Sequence, residues 1–287
     1  MKSILEETKF LMNKYNIRAN KDLGQNFLIN DDAVNEIVNS SNIEKEDLII
    51  EIGPGLGTLT SFILEKAGKV ICVELDKKMV EILNDRFSLY NNFEIINQDI
   101  LKVDLKELIK KEKENGKIKT VKIVANLPYY ITTPIITKLL EEELELESIT
   151  VMIQKEVAQR LIEKPGGKNT GAITYCIYYY CESEKIIEVS KESFIPNPKV
   201  TSEVIKLKIR KDKKVFIEDK GKMFKIIKCA FMQRRKTILN SLSNTGIFKT
   251  KEEGIEILEK VGIDINIRPE KVTLEQFASI SNEIIGS

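Results

Sequence analysis

Asn126-Leu127-Pro128-Tyr129 brings together the parts needed to hold a planar amine. The Asn126 side-chain oxygen is a hydrogen-bond acceptor, and a ring-constrained turn holds the carbonyls of Leu127 and Pro128 in place as further acceptors. The Tyr129 ring is a flat face on which a base can stack. Such a site suits the exocyclic amino group of an adenine, with its nitrogen aimed at an electrophile. The same four residues also fit an ordinary strand-to-loop proline followed by a surface tyrosine, so the surroundings must decide.

A second cluster of chemistry lies upstream, in Glu51-Ile52-Gly53-Pro54-Gly55-Leu56-Gly57. Gly53 and Gly55 let the backbone approach a ligand closely, as phosphate- and nucleoside-binding strand–helix turns require. Glu74 follows about twenty residues later, where an acidic side chain grips ribose hydroxyls. Dinucleotide-binding folds share both features. Two details separate this chain from them: an acid, Glu51, directly precedes the glycines, and Thr58 stands where a dehydrogenase packs its last glycine. Asp99 adds an acceptor for an adenine amino group.

These residues need a scaffold, and the hydrophobic pattern supplies one. Leu48–Ile52, Lys69–Leu75, Phe93–Asn97, Val121–Ala125 and Ile149–Ile153 read as strands. Helical spacing over 58–66, 77–87, 134–142 and 155–163 separates most of them. This alternation predicts an α/β fold with a parallel, doubly wound sheet. Gly53, Glu74, Asp99 and Asn126 then mark the carboxyl ends of four strands, the edge where open α/β sheets bind ligands. Residues 172–181 and 200–209 read as extended runs that pair antiparallel at the end of the sheet. Beyond Ile209 the spacing over 222–242, 251–261 and 274–285 is helical only. The expected division is a catalytic domain over 1–210, its first 45 residues capping the ligand, and a small all-α domain over 211–287.

Composition narrows the chemistry. The 287 residues are 42% hydrophobic and 31% charged, as in a soluble globular protein. No apolar run approaches the roughly 20 residues that span a bilayer, and the N-terminus lacks an apolar signal core, so a cytoplasmic protein without a membrane role is expected. The four cysteines have no C-x-x-C spacing and read as reduced core residues. There is no histidine, which excludes histidine acid–base catalysis and histidine zinc sites; no metal is expected. Net charge is +1, but Lys199–Lys236 carries 14 Lys/Arg against 4 Asp/Glu. A stretch that basic suits phosphate contact, or a solvated charged face.

With these residues in hand, the chain resembles the class I S-adenosyl-L-methionine-dependent methyltransferases, and more closely the rRNA adenine N6-dimethyltransferases. The resemblance covers nearly everything after residue 20. It is carried by Leu23-Gly24-Gln25-Asn26-Phe27-Leu28, the glycine loop, Glu74, Asp99, the Asn126–Tyr129 tetrad, Phe194-Ile195-Pro196-Asn197-Pro198-Lys199-Val200 and Ala230–Thr237. It implies that Asn26 and Leu28 help bind the cofactor, that Gly53 backs its methionine end, that Glu74 holds its ribose and Asp99 its adenine, and that Asn126 borders cofactor and substrate. One branch of the family dimethylates two adjacent adenines near the 3′ end of 16S rRNA in the immature small ribosomal subunit. Another modifies a 23S rRNA adenine and confers macrolide resistance. The Leu23–Leu28 and Gln233–Thr237 runs resemble the 16S branch. Tyr130 departs from the pattern, since asparagine commonly follows the tetrad's aromatic residue.

The implied reaction is direct SN2 transfer of the cofactor's methyl to adenine N6, with acceptors at Asn126 and the Leu127 or Pro128 carbonyl drawing the amine out of conjugation. Tyr129 stacks on the unstacked base. Phe194 is a candidate for the opposite face, or a packing residue at a hinge. Lys199, Arg234, Arg235 and Lys236, the last three on a helix with Lys222, Lys225 and Lys228, are candidate rRNA contacts. The enzyme is expected to act as a monomer. A non-catalytic nucleic-acid-binding relative and an NAD-dependent oxidoreductase are the rival classes; the intact motifs disfavour the first, the loop pattern the second.

Overall fold

The computed structural model describes residues 3–20, 23–114, 116–167, 169–212, 214–233 and 235–286. In chain order the N-terminal part runs α1 (Ile4–Lys14), β1 (Phe27–Leu28), α2 (Asp31–Ser40), β2 (Asp47–Ile52), α3 (Thr58–Lys66), β3 (Lys69–Glu74), α4 (Lys77–Arg86) and β4 (Phe93–Asn97). Next come α5 (Leu105–Glu114), β5 (Thr120–Asn126), α6 (Thr132–Glu141), β6 (Ser148–Gln154) and α7 (Lys155–Ile162). The remainder is α8 (Ala172–Tyr180), β7 (Cys181–Val189), β8 (Phe194–Ile195), β9 (Ser202–Ile209), α9 (Lys220–Met232), α10 (Ile238–Asn244), α11 (Lys251–Lys260) and α12 (Leu274–Gly286). Among the described residues no helix is long and apolar enough to cross a membrane.

Seven strands form one sheet in the order β4-β3-β2-β5-β6-β9-β7. The pairs from β4 to β6 are parallel, and β9 runs antiparallel to β6. The inner strands read as almost unbroken Val, Ile and Leu because helices cover both faces, and β2 is buried at every position. The chain lays β3 and β4 on one side of β2, then crosses over to place β5 on the other. Ligands of doubly wound folds bind at that reversal.

Two compact units result. Residues 1–158 and 183–209 form the first; residues 159–182 and 210–287 form the second. The helical unit therefore also takes in a segment that the sequence pattern assigned to the catalytic domain. The cause is the run 172–181, read as extended; all of it but Cys181, which opens β7, folds as α8. Its sequence, rich in isoleucine and tyrosine, is buried on nearly every side, and a short, all-apolar run has no period to separate strand from helix. Packing decides instead. Tyr175 is wholly buried, donates its hydroxyl to Val272 O at 2.5 Å, and meets Phe277 edge-on. Tyr179 and Tyr180 close on Phe224 of α9. The strand beside β9 is instead β7, whose charged residues mask its extended form.

A second difference concerns the expected helix over 222–242. It breaks after Met232, and α10 restarts with Thr237 as its cap, the hydroxyl accepting from Asn240 N–H. Arg235 and Lys236 lie in the intervening turn, not on a helix. A threonine inside a helical pattern competes for local backbone donors, which is why it starts helices well.

Candidate active site

The register brings the strand ends into line. Ile52 faces Val73, Glu74 faces Asn97, and Glu51 faces Val124. In space the order is therefore Asp99, Glu74, Gly53, Asn126, after β4, β3, β2 and β5. Strands about 4.8 Å apart spread these four over roughly 14 Å, the length of an extended nucleoside with a short tail. A cavity of about 200 Å³ opens along this edge and is lined by all four.

At the glycine loop, Gly55 N–H donates to Glu74 Oε2 at 3.2 Å, and Asp76 N–H to Oε1 at 2.9 Å. These bonds hold the carboxylate at the cavity wall, while burial pushes its pKa up. A Cβ at Gly53 would meet only Pro128 Cδ, at 3.8 Å, so the glycine leaves room that a side chain would take. Gly57 has φ +81°, and a Cβ there would lie 2.6 Å from Phe87 Cε2, so only glycine lets α3 begin so close to α4. Asp99 caps the short turn after β4, its Oδ1 accepting from Leu101 N–H at 3.0 Å.

The N-terminal segment encloses the loop. Leu11, Ile17 and Phe27 pack with Leu56, Met79 and Ile82. Arg86 binds both the Leu56 carbonyl and Glu7 of α1, and Gln25 Nε2 donates to Asp76 Oδ2 at 2.9 Å. Leu28 is buried and pairs with Phe194 in the small β1–β8 sheet. Asn26 supplies the link to the tetrad: its carbonyl accepts Asn126 Nδ2–H at 3.2 Å. That bond fixes which way the Asn126 amide points and leaves Oδ1 as an acceptor.

Around Asn126 the turn is specified in detail. Leu127 is buried and its N–H donates to Met152 O at 3.1 Å. The Pro128 carbonyl already accepts from Ile131 N–H at 3.3 Å and Thr132 Oγ1–H at 3.1 Å. Both of its lone pairs are engaged, which removes it as the second acceptor that sequence left open. Tyr129 lines the cavity, and its hydroxyl shares a 2.7 Å hydrogen bond with Ser202 Oγ at the start of β9. Burial raises its phenol pKa, so the ring is held neutral and fixed.

Phe194 is corrected. It is fully buried in the core cluster that also holds Leu28, Val124, Met152 and Val204, and therefore packs the core rather than facing a base. A phenylalanine beside prolines carries no local mark of which side it takes; the β1–β8 pairing turns it inward. Lys199 is exposed on the loop after β8. Arg234 lies outside the described residues. On the helical unit Lys225, Lys228, Arg235 and Lys236 are exposed and Lys222 is half-buried; of the four α9 lysines, Lys222, Lys225 and Lys228 are spaced three apart on one face. Some members of the basic stretch are used internally: Lys206 Nζ donates to Ser40 O at 2.7 Å, Arg210 pairs with Glu182 at 2.8 Å, and Lys214 Nζ lies 3.8 Å from the Tyr178 ring centre.

Sequence reasoning passed over Leu75 and Leu101. Both line the cavity, 49% and 37% exposed, directly after Glu74 and one residue beyond Ile100. Apolar side chains following the strand-end acids were the available signal. Ser202 had none, since its partner lies 73 residues away.

Glu51 lies beneath the loop, 2% exposed, with Oε2 accepting from Thr60 Oγ1–H at 2.7 Å and from the Cys72 thiol at 3.6 Å. Burial, above all, pushes its pKa up to about 7. In the unfolded chain the group ionises in the ordinary carboxylate range, so its effect on stability is absent in acid and becomes unfavourable as pH rises toward 7. Glu51→Gln should therefore gain about 2–3 kcal/mol over the parent chain between pH 4 and pH 8, at 1.36 kcal/mol per pKa unit. Denaturant midpoints at both pH values check this; an equal difference at both would refute it.

The family described as ribosomal RNA adenine dimethylase matches residues 16–286. A ribosomal RNA small subunit methyltransferase A of Alkaliphilus metalliredigens is 46% identical over 278 residues, 97% of this chain and 96% of the relative. One from Clostridioides difficile is 45% identical, covering 96% and 94%. Among solved structures, a dimethyladenosine transferase from Plasmodium falciparum superposes with a TM-score of 0.73 at 25% identity, covering 91% of this chain and 98% of that one. The 23S rRNA methyltransferase ErmE shares the fold at TM-score 0.66 and 22% identity, covering 91% and 100%.

Proposed function

The chain belongs to the ribosomal RNA adenine dimethylase family, and from that membership we propose that it transfers methyl groups from S-adenosyl-L-methionine to N6 of two adjacent adenines near the 3′ end of 16S rRNA. The observation that carries the reading is the line Asp99, Glu74, Gly53, Asn126 across one cavity, with Asn126 tied down through Asn26.

The residues fit the cofactor. Glu74 presents a held carboxylate to ribose hydroxyls, Asp99 accepts from the adenine amine, and Leu75 and Leu101 flank that end with apolar surface. Gly53 leaves space for the methionine end above Glu51. Bound S-adenosyl-L-methionine supplies an electrophilic methyl group. Asn126 Oδ1 and the Leu127 carbonyl accept from the target amine, favour its pyramidal form and stabilise the positive charge it gains. Tyr129, fixed by Ser202, holds the face of the extruded base. The amine nitrogen would gain the methyl carbon as that carbon's bond to the cofactor's sulfonium sulfur breaks, the neutral thioether S-adenosyl-L-homocysteine would leave, and the proton of the methylated amine would go to water. No histidine is needed.

We assign the exposed lysines of α9, with Arg235, Lys236 and, on the other unit, Lys199, to rRNA phosphates. They add affinity more than sequence choice. The substrate is the RNA of an immature small subunit, and the enzyme acts as a cytoplasmic monomer.

Labelled S-adenosyl-L-methionine, offered with immature small-subunit particles and separately with 23S rRNA, tests this. Transfer to the 16S adenines alone is expected, and transfer only to 23S rRNA would overturn the branch. By calorimetry Glu74→Ala should weaken cofactor binding about 10- to 100-fold, the scale of lost hydrogen bonds to a charged group. Undiminished binding would remove Glu74 from the ribose site, and NAD binding without S-adenosyl-L-methionine binding would sink the assignment.

A further inference from the structure

Three apolar side chains lining the cavity stand well out into solvent: Leu75, Leu101 and Tyr130. The first two follow the acids of the cofactor end. Tyr130 does not; it adjoins the tetrad and is 56% exposed. Tyr129 and Tyr130 are consecutive in a short 3-10 turn, residues 129–131, where successive side chains point about 120° apart. Tyr129 is anchored to Ser202, so Tyr130 is turned away from that anchor. Its ring is backed by the N-terminal segment: a Cβ on Gly24 would lie 3.4 Å from Tyr130 Cδ1 and 3.9 Å from Pro128 Cβ. Gly24 has φ +62°, a backbone conformation that favours glycine, and the ring lies close beside it. The result is a supported aromatic surface at the mouth of the cavity.

We propose that Tyr130 is a substrate-binding residue that stacks on the nucleobase next to the extruded adenine. The inference rests on the RNA-methylating reading of this site. Extruding one base strips its neighbour of a stacking partner, and an exposed ring beside the entry point replaces it. Because every base has a π-face, this platform holds either adenine of an adjacent pair while the other is in the pocket. Two modifications of neighbouring bases then use one mouth.

The test is steady-state methylation of 16S substrate by the full chain and by Tyr130→Ala and Tyr130→Phe. Substrates carry either the natural neighbour or an abasic nucleotide in its place. Tyr130→Ala should raise the KM for RNA about tenfold, the scale of one lost base–aromatic stack, with the S-adenosyl-L-methionine Kd unchanged. Tyr130→Phe should restore the parent KM. The abasic neighbour should raise the parent's KM similarly and add nothing in Tyr130→Ala. A KM within twofold of the parent in Tyr130→Ala would overturn the proposal. So would an abasic penalty that persists undiminished in that variant. Failure of the parent chain to methylate RNA at all would instead defeat the functional reading beneath it.

Discussion

Asn126→Ala should lower kcat for methyl transfer by about 10²–10³-fold, the cost of removing one preorganised hydrogen-bonding group from a charge-developing site. The side chain has two jobs, and the structure separates them. Nδ2 fixes the residue to the Asn26 carbonyl, and Oδ1 is left for the target amine. Losing the first bond costs about 1 kcal/mol and shifts cofactor affinity only severalfold. Losing the second removes an interaction that strengthens as the amine gains charge, so it falls on kcat. Single-turnover rates with saturating cofactor, beside a cofactor titration, check the split. A rate within threefold of the parent would refute the assignment.

Phe194→Ala should destabilise the first unit by about 3–5 kcal/mol, the usual cost of emptying a phenylalanine site in a core. Phe194 is wholly buried in a core cluster with Leu28, Val124, Met152 and Val204, and pairs with Leu28 across the β1–β8 sheet. The measurement is a denaturant midpoint, paired with the KM for RNA of Phe194→Leu, which keeps most of the volume. Packing predicts a large loss of stability for the alanine variant and a near-parent KM for the leucine one. A stable alanine variant together with a raised KM in the leucine variant would return Phe194 to the base-stacking role.

Much of this molecule was legible in the chain, and the physical reason is locality. Strand-end residues such as Gly53, Glu74 and Asn126 are placed by the strand that precedes them. A parallel sheet gathers such ends on one edge whatever the details of packing. The alternation of apolar runs with helical spacing specified β2 to β6 with α3, α4 and α6 between them, because burial on both sheet faces writes itself into consecutive residues; α5, mostly charged, was not read as a helix. The fate of residues 172–181 was not legible. Their tyrosines and isoleucines satisfy strand and helix equally, and only contacts with Val272, Phe277 and Phe224, far along the chain, resolve them as α8. Thr237, read as one more residue of a long helix, caps a new one.

The sequence by itself determined the chemistry available: an amide acceptor before a proline, two strand-end acids, a glycine loop, and no histidine. Only the tertiary structure decided which atoms are left to act. Asn126 Oδ1 is an acceptor because a carbonyl 100 residues earlier in the chain takes its Nδ2. Pro128 O is spent on Thr132 and Ile131, Phe194 is sealed in the core, and Tyr130 is left facing solvent. Residue types are set one position at a time. Hydrogen-bond capacity and exposure are set by whatever the fold brings alongside, so they are properties of the packed molecule and not of the motif.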